Sequence, residues 1–184
     1  MPSPREASPA LQESMDRIAD EVNRTIGRLL PETDLAEARL YDAMRHGVLN
    51  GGKRLRPFLT VQSAKLFGVD EARARRVAAA LEYMHCYSLI HDDLPAMDDA
   101  DTRRGKPAVH KEFDEATAIL AGDALQALAF EVLADPETHE DPRVRIELIS
   151  ALAKAAGGHG MCGGQMLDLL GETEEFDVGT ISRM

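Results

Sequence analysis

Leu11, Met15, Ile18, Val22, Ile26 and Leu29 follow one another at spacings of three and four residues. That interval puts all six on one stripe of an α-helix, and it recurs in nearly every long segment of the chain. No stretch alternates with the period of two that marks a half-buried strand, and no internal repeat stands out. The apolar residues agree: 26 Ala and 21 Leu stand against 9 Val and 7 Ile, and Trp is absent. Ala and Leu lose little freedom in a helix, whereas β-branched side chains suit strands. The fold class is all-α, and 184 residues suffice for one domain with a real core.

Local signals divide the chain. Residues 1–8 read as a disordered lead-in and 9–184 as the N-terminal portion of a single all-α domain. Pro31 stops the first helix; a second runs from a cap at Thr33 or Asp34 to about Arg45. Pro57 opens the third at its first position, and Gly68 closes it after Phe67. Asp70 caps a long helix through "EARARRVAAALEYMHCYSLIH". A polar loop fills about 95–110, and helices over 114–134 and 142–170 follow. In "FDVGTISRM" Asp177 caps a further helix just as the sequence stops, so the chain reads as a fragment whose C-terminal helices are missing.

A net charge of -11 argues against nucleic acid as a partner, because phosphate binding needs a basic surface. Cys86 and Cys162 offer neither a disulfide framework nor a zinc spacing. The N-terminal "MPSPREASPA" lacks the apolar core of a signal peptide. "ATAILAGDALQALAFEVLA" contains Asp123, Gln126 and Glu131, which makes it a buried helix rather than a membrane span. The expectation is a cytoplasmic protein, not a membrane protein.

"HDDLPAMDDADTRRG" carries Asp92, Asp93, Asp98, Asp99 and Asp101, followed at once by Arg103 and Arg104. On a regular helix Asp92 and Asp98 would lie about 120° apart. Pro95 prevents that helix: it lacks a backbone donor and drives Leu94 out of the α region. The broken turn can therefore carry Asp98 back toward Asp92. Converging carboxylates either stay protonated or bind a hard cation, and Mg²⁺ suits one or two carboxylates, waters and phosphate oxygens. Arginine forks match phosphate oxygens. Read functionally, the stretch binds a magnesium diphosphate; read blandly, it is a solvated acidic loop.

Upstream, "GGKRLRP" places Lys53, Arg54 and Arg56 after Gly51 and Gly52, whose backbone N–H groups an anion can reach. The same stretch also fits a surface turn. His85 lies seven residues before Asp92, about 20° around the helix and roughly 10 Å along it, either touching a second ligand or simply packing. "GVLNGGK" and "GHGMCG" match phosphate-loop and dinucleotide spacings, but neither follows a strand. Gly157, Gly158, Gly160, Gly163 and Gly164 instead read as a helix approaching a neighbour or ligand closely.

With these residues in view, "GGKRLRP", "EYMHCYSLIHDDLPAMDDADTRRGKPAVH" and "GMCGGQMLDL" resemble the signatures of the trans-prenyl diphosphate synthases. The resemblance runs from about residue 11 to the end and implies an antiparallel helical bundle of the isoprenoid synthase type. The spacing Asp92–Asp93–four residues–Asp98 is most similar to that of bacterial farnesyl diphosphate synthases. The resemblance implies that Asp92 and Asp98, with Asp93 in support, bind Mg²⁺ and an allylic diphosphate, dimethylallyl or geranyl. It places Arg103 on that diphosphate, and isopentenyl diphosphate on Gly52, Lys53, Arg56, His85 and Arg104. Gln165 and Asp168 match positions near the allylic site, Asp168 as a weak metal ligand. Tyr87 and Ser88 match the wall that sets product length, although Tyr87 is also explained by core packing. A homodimer is implied as well.

The family's second aspartate-rich motif, with its Lys and Thr, does not match any stretch after Asp168; "GETEEFD" is the only acidic run there. Taken as all there is, the chain is expected to bind one substrate at most, with negligible turnover. A rival enzyme is a metal-dependent phosphohydrolase of the HD type, using His46 or His85, the His91–Asp92 pair and Asp168. A rival of another class is a non-catalytic partner subunit of a prenyl synthase.

Overall fold

A computed structural model describes residues 8–182, so residues 1–7 of the expected lead-in lie outside the described residues. Ser8 accepts the N–H of Leu11 through its hydroxyl and caps α1 (Pro9–Leu29). There follow α2 (Ala38–Leu49), α3 (Leu55–Leu66), α4 (Glu71–Asp92), β1 (Thr102–Arg103), β2 (Lys106–Pro107), α5 (Val109–Glu112) and α6 (Glu115–Ala134). Then come α7 (Pro142–Ala156), α8 (Met161–Gly171) and α9 (Val178–Ile181). Among the described residues the fold is all-α apart from one hairpin of two two-residue strands. Two compact units divide it, Met1–Glu140 and Asp141–Met184.

In the first unit α4 is the central helix, packed by α1, α2, α3 and α6. It buries several faces at once, through Ala74, Ala78–Ala80, Tyr83, Met84, Cys86, Tyr87 and Ile90. The alanines let neighbouring helices come close. The sequence stripe of α1 is the core stripe: Ile18, Val22 and Ile26 are fully buried, each worth about 1.5–3 kcal/mol of transfer free energy. Tyr83 buries its ring and donates its hydroxyl to the Ile26 carbonyl, 3.2 Å away. Asp70 caps α4 by accepting the N–H groups of Ala72 and Arg73, as its sequence position demands.

Four boundaries differ from expectation. Thr33 closes only a local turn onto the Leu35 N–H, and α2 starts later, at Ala38. It also runs further, through Gly47, because a Cβ there would stand 2.5 Å from Ile90 Cδ1; the glycine serves packing rather than termination. Pro57 sits at the third position of α3, still inside the first turn, where helical N–H groups have no partner. The expected helix over 142–170 is broken at Gly157–Gly160. There the chain folds against its own backbone: a Cβ on Gly160 would lie 2.0 Å from the Ala155 carbonyl oxygen. The glycines make a helix–helix corner.

By length and composition α6 is apolar enough to cross a membrane, contrary to the expectation that its polar residues exclude this. Its contacts are with α2, α4 and α5, and Ala118, Ala121, Gly122, Leu125, Ala129, Val132 and Leu133 are buried there. Packing, not polarity, makes it a core helix. In the second unit α7 is capped by Asp141, which accepts the Arg143 N–H at 2.8 Å, and Asp177 caps α9 by accepting the Thr180 N–H at 2.7 Å.

Candidate functional site

At the C-terminal end of α4 the helix stops at Asp92, and a tight turn follows. Pro95 takes the second position of a four-residue turn closed by Met97 N–H to the Leu94 carbonyl, 2.9 Å, a place where its fixed φ is favoured. The chain then doubles back. Asp98 donates its N–H to the Asp92 carbonyl at 2.8 Å, and Ala100 does the same to Asp93 at 3.1 Å.

The five aspartates now sort by partner. Asp93 is 2% exposed and receives both the Nε and Nη2 edges of Arg103. Lys111 Nζ stands 3.5 Å from Asp99 and 3.0 Å from Asp101. At Asp92, burial first, then the charge of nearby Asp98, push the carboxyl above its ordinary value. Two carboxylates make a hard-oxygen donor pair that suits Mg²⁺. Among the described residues no three His, Cys, Asp or Glu side chains gather as a metal group. A cation at Asp92 and Asp98 would therefore complete its shell with water and a ligand's oxygens, as Mg²⁺ does with phosphates.

The hairpin follows. Arg104 and Gly105 both have positive φ, as a two-residue type I′ turn requires, and Arg103 pairs with Lys106 across it. Sequence reading left this stretch as a polar loop; its signal was the Arg-Gly pair, in which Gly readily takes φ above zero and Arg does not. The hairpin is pinned to the end of α2 by three bonds. Arg104 Nη1 donates to the Gly51 carbonyl (2.6 Å), Lys106 Nζ to Asn50 Oδ1 (2.9 Å), and His46 Nε2 bonds the Pro107 carbonyl (2.9 Å). Gly52, at φ +113°, leaves room for Arg104, whose Cζ would be 2.7 Å from a Cβ there.

Arg56 Nη1 lies 3.3 Å from His85 Nε2. Arginine can only donate, so the imidazole nitrogen accepts. Burial first, then Arg56, hold His85 below its ordinary pKa, which keeps the ring neutral for that role. Lys53 is exposed. Tyr87 is buried, its ring edge-on to His91 at 5.6 Å, and Ser88 donates its hydroxyl to the His85 carbonyl. Gln165 and Asp168 lie on α8 in the second unit, Asp168 exposed.

Sequence reasoning overlooked Glu82. This carboxylate is 2% exposed and pairs with Arg54, itself 3% exposed, so Arg54 belongs to the frame rather than to a surface cluster. The available signal was an acidic residue in the Ala-rich, all-round buried run of α4. His91 Nε2 bonds the Ile119 carbonyl (3.1 Å) and His46 the Pro107 carbonyl. Both imidazoles are thus engaged by backbone carbonyls rather than turned to a shared ligand.

The model of the polyprenyl synthetase family matches residues 37–183. This chain belongs to that family. Among curated polyprenyl synthetase relatives, farnesyl diphosphate synthase of Escherichia coli is 46% identical over 94% of this chain and 58% of its own length. Geranylgeranyl pyrophosphate synthase 12 of Arabidopsis thaliana is 45% identical over 90% of this chain and 46% of its own. The crystal structure of an FPP/GFPP synthase from Zymomonas mobilis superimposes with a TM-score of 0.91 at 52% identity. That match covers 95% of this chain and 63% of the other, so the chain spans between 46% and 63% of the length of these relatives.

Proposed function

We propose that the intact protein is a Mg²⁺-dependent prenyltransferase that condenses dimethylallyl or geranyl diphosphate with isopentenyl diphosphate to give farnesyl diphosphate. The observation that carries the reading is the doubled-back turn, where Asp98 returns to Asp92 beside Arg103. Family membership and relatives named for this chemistry support it.

Asp92 and Asp98 would hold magnesium, which, when bound, supplies positive charge to a departing diphosphate. The protein's own groups do the remaining work. Asp93 occupies one edge of Arg103, which fixes the guanidinium and leaves Nη1 to aim at the allylic diphosphate. Charge developing on that diphosphate as the carbon–oxygen bond breaks is met by a preorganised cation. Lys53, Arg56 and Arg104 would hold isopentenyl diphosphate, with neutral His85 orienting Arg56. The isopentenyl double bond then attacks the allylic cation, and the proton lost from the adduct passes to the released diphosphate. Tyr87, with Ser88 beside it, would close the tail pocket at farnesyl length.

The reading carries with it a cytoplasmic homodimer, and light scattering tests the dimer directly. The decisive assay incubates the intact protein and magnesium with labelled isopentenyl diphosphate and each allylic primer. Farnesyl diphosphate is the expected product; no condensation with any primer overturns the reading.

A further inference from the structure

We propose that Glu82 is a positioning residue for the cradle of Lys53, Arg56, His85 and Arg104, an inference that rests on the isopentenyl diphosphate reading above. A carboxylate this deeply buried must be paired, and Glu82 draws its partners from two separate segments. From the α2–α3 connection comes Arg54, each of whose three guanidinium nitrogens donates a bond: to Glu82 Oε1, to Asn23 Oδ1 at 2.9 Å and to the Val48 carbonyl at 2.6 Å. From the hairpin comes Arg104, with Nη2 at 3.8 Å from the same Oε1.

The two arginines differ in what remains of them. Arg54 is consumed by the frame. Arg104 keeps its head reachable, with 22% of its side chain exposed, and rests on the Gly51 carbonyl in the space that Gly52 leaves open. Buried Cys86 flanks the same guanidinium, and its thiol is pushed up to about 12 by burial first and Glu82 next, so it stays an uncharged packing partner. Around His85 the charges that act are Arg56, Glu82, Arg104 and Arg54, of which Glu82 alone is negative. Without it three guanidiniums would crowd one neutral ring, and Arg104 would have no carboxylate drawing it inward. Glu82 thus joins the hairpin to the Gly51–Arg54 turn and presents Arg104 to an anion bound beside Arg56 and His85.

The test titrates isopentenyl diphosphate calorimetrically into the protein with a chelator present, so that the acidic turn takes no part. Arg104→Gln and Glu82→Gln are each expected to weaken binding about tenfold, the worth of one charge-assisted hydrogen bond. The double variant is expected to bind no more weakly than Arg104→Gln alone, because Glu82 acts through Arg104. Wild-type affinity in Glu82→Gln, or losses that multiply in the double variant, overturns the inference. If Arg104→Gln has no effect, the isopentenyl diphosphate reading itself falls, and this inference with it. Should circular dichroism show Glu82→Gln unfolded, Arg54→Met with Glu82→Met removes the buried pair together. The same non-additivity with Arg104→Gln is expected there, and undiminished affinity overturns the proposal.

Discussion

Arg104 lies against the backbone of Gly52 so closely that a Cβ would stand 2.7 Å from its Cζ and 2.8 Å from its Nη1. The glycine is required twice over, since its φ of +113° is also one that other residues rarely adopt. Gly52→Ala is expected to keep the helical fold, displace Arg104 from the Gly51 carbonyl and weaken diphosphate binding about tenfold. Calorimetry reads the affinity, and circular dichroism the fold. Unchanged affinity would show that Arg104 does not depend on this approach.

His91 and Gly122 stand in the same relation across α4 and α6. A Cβ on Gly122 would be 2.2 Å from His91 Nε2, the atom that bonds the Ile119 carbonyl. Gly122→Ala is expected to cost about 1–3 kcal/mol through overpacking and the lost bond. Denaturant unfolding measures it, and a midpoint equal to wild type contradicts the packing described.

Asp114 caps α6. Its carboxylate accepts a hydrogen bond from Arg39 and two from Thr117, and these hold its pKa down to about 2. A depressed carboxylate stabilises the fold fully above its unfolded value, near 3.8, and loses that contribution as pH falls toward 2. Thermal melts of wild type and Asp114→Ala are therefore expected to differ at neutral pH and to converge between these two values. A gap that persists at the acid end contradicts the assignment.

Tyr87 is buried one helical turn before His91 and five residues before Asp92. In the intact protein Tyr87→Ala is expected to lengthen the prenyl product beyond farnesyl, as read by chromatography of dephosphorylated products. An unchanged profile leaves Tyr87 as core packing alone.

The helices were legible because their apolar residues repeat at helical spacing and their caps are local: Ser8, Asp70 and Asp114 each satisfy an N–H two or three residues away. The Pro95 turn was legible for the same reason. What escaped depends on partners distant in sequence. The run of α2 past Arg45 is hidden until Ile90 is seen against Gly47, 43 residues on. The hairpin turn at Arg104–Gly105 has one residue unsuited to positive φ, and Gly51, 53 residues upstream, anchors it. Nothing in the local sequence shows that the fork of Arg103 closes on Asp93. Glu82 was missed because a buried carboxylate becomes intelligible only with Arg54 in place.

The account rests on Asp92 and Asp98 acting together on a metal-bound diphosphate, and titration of geranyl diphosphate into the protein, with magnesium and with a chelator, tests it most directly. It predicts binding that requires magnesium and weakens about tenfold or more in Asp98→Asn, as loss of a carboxylate from so small a donor set demands. Equal affinity in the chelator, or in Asp98→Asn, would contradict it.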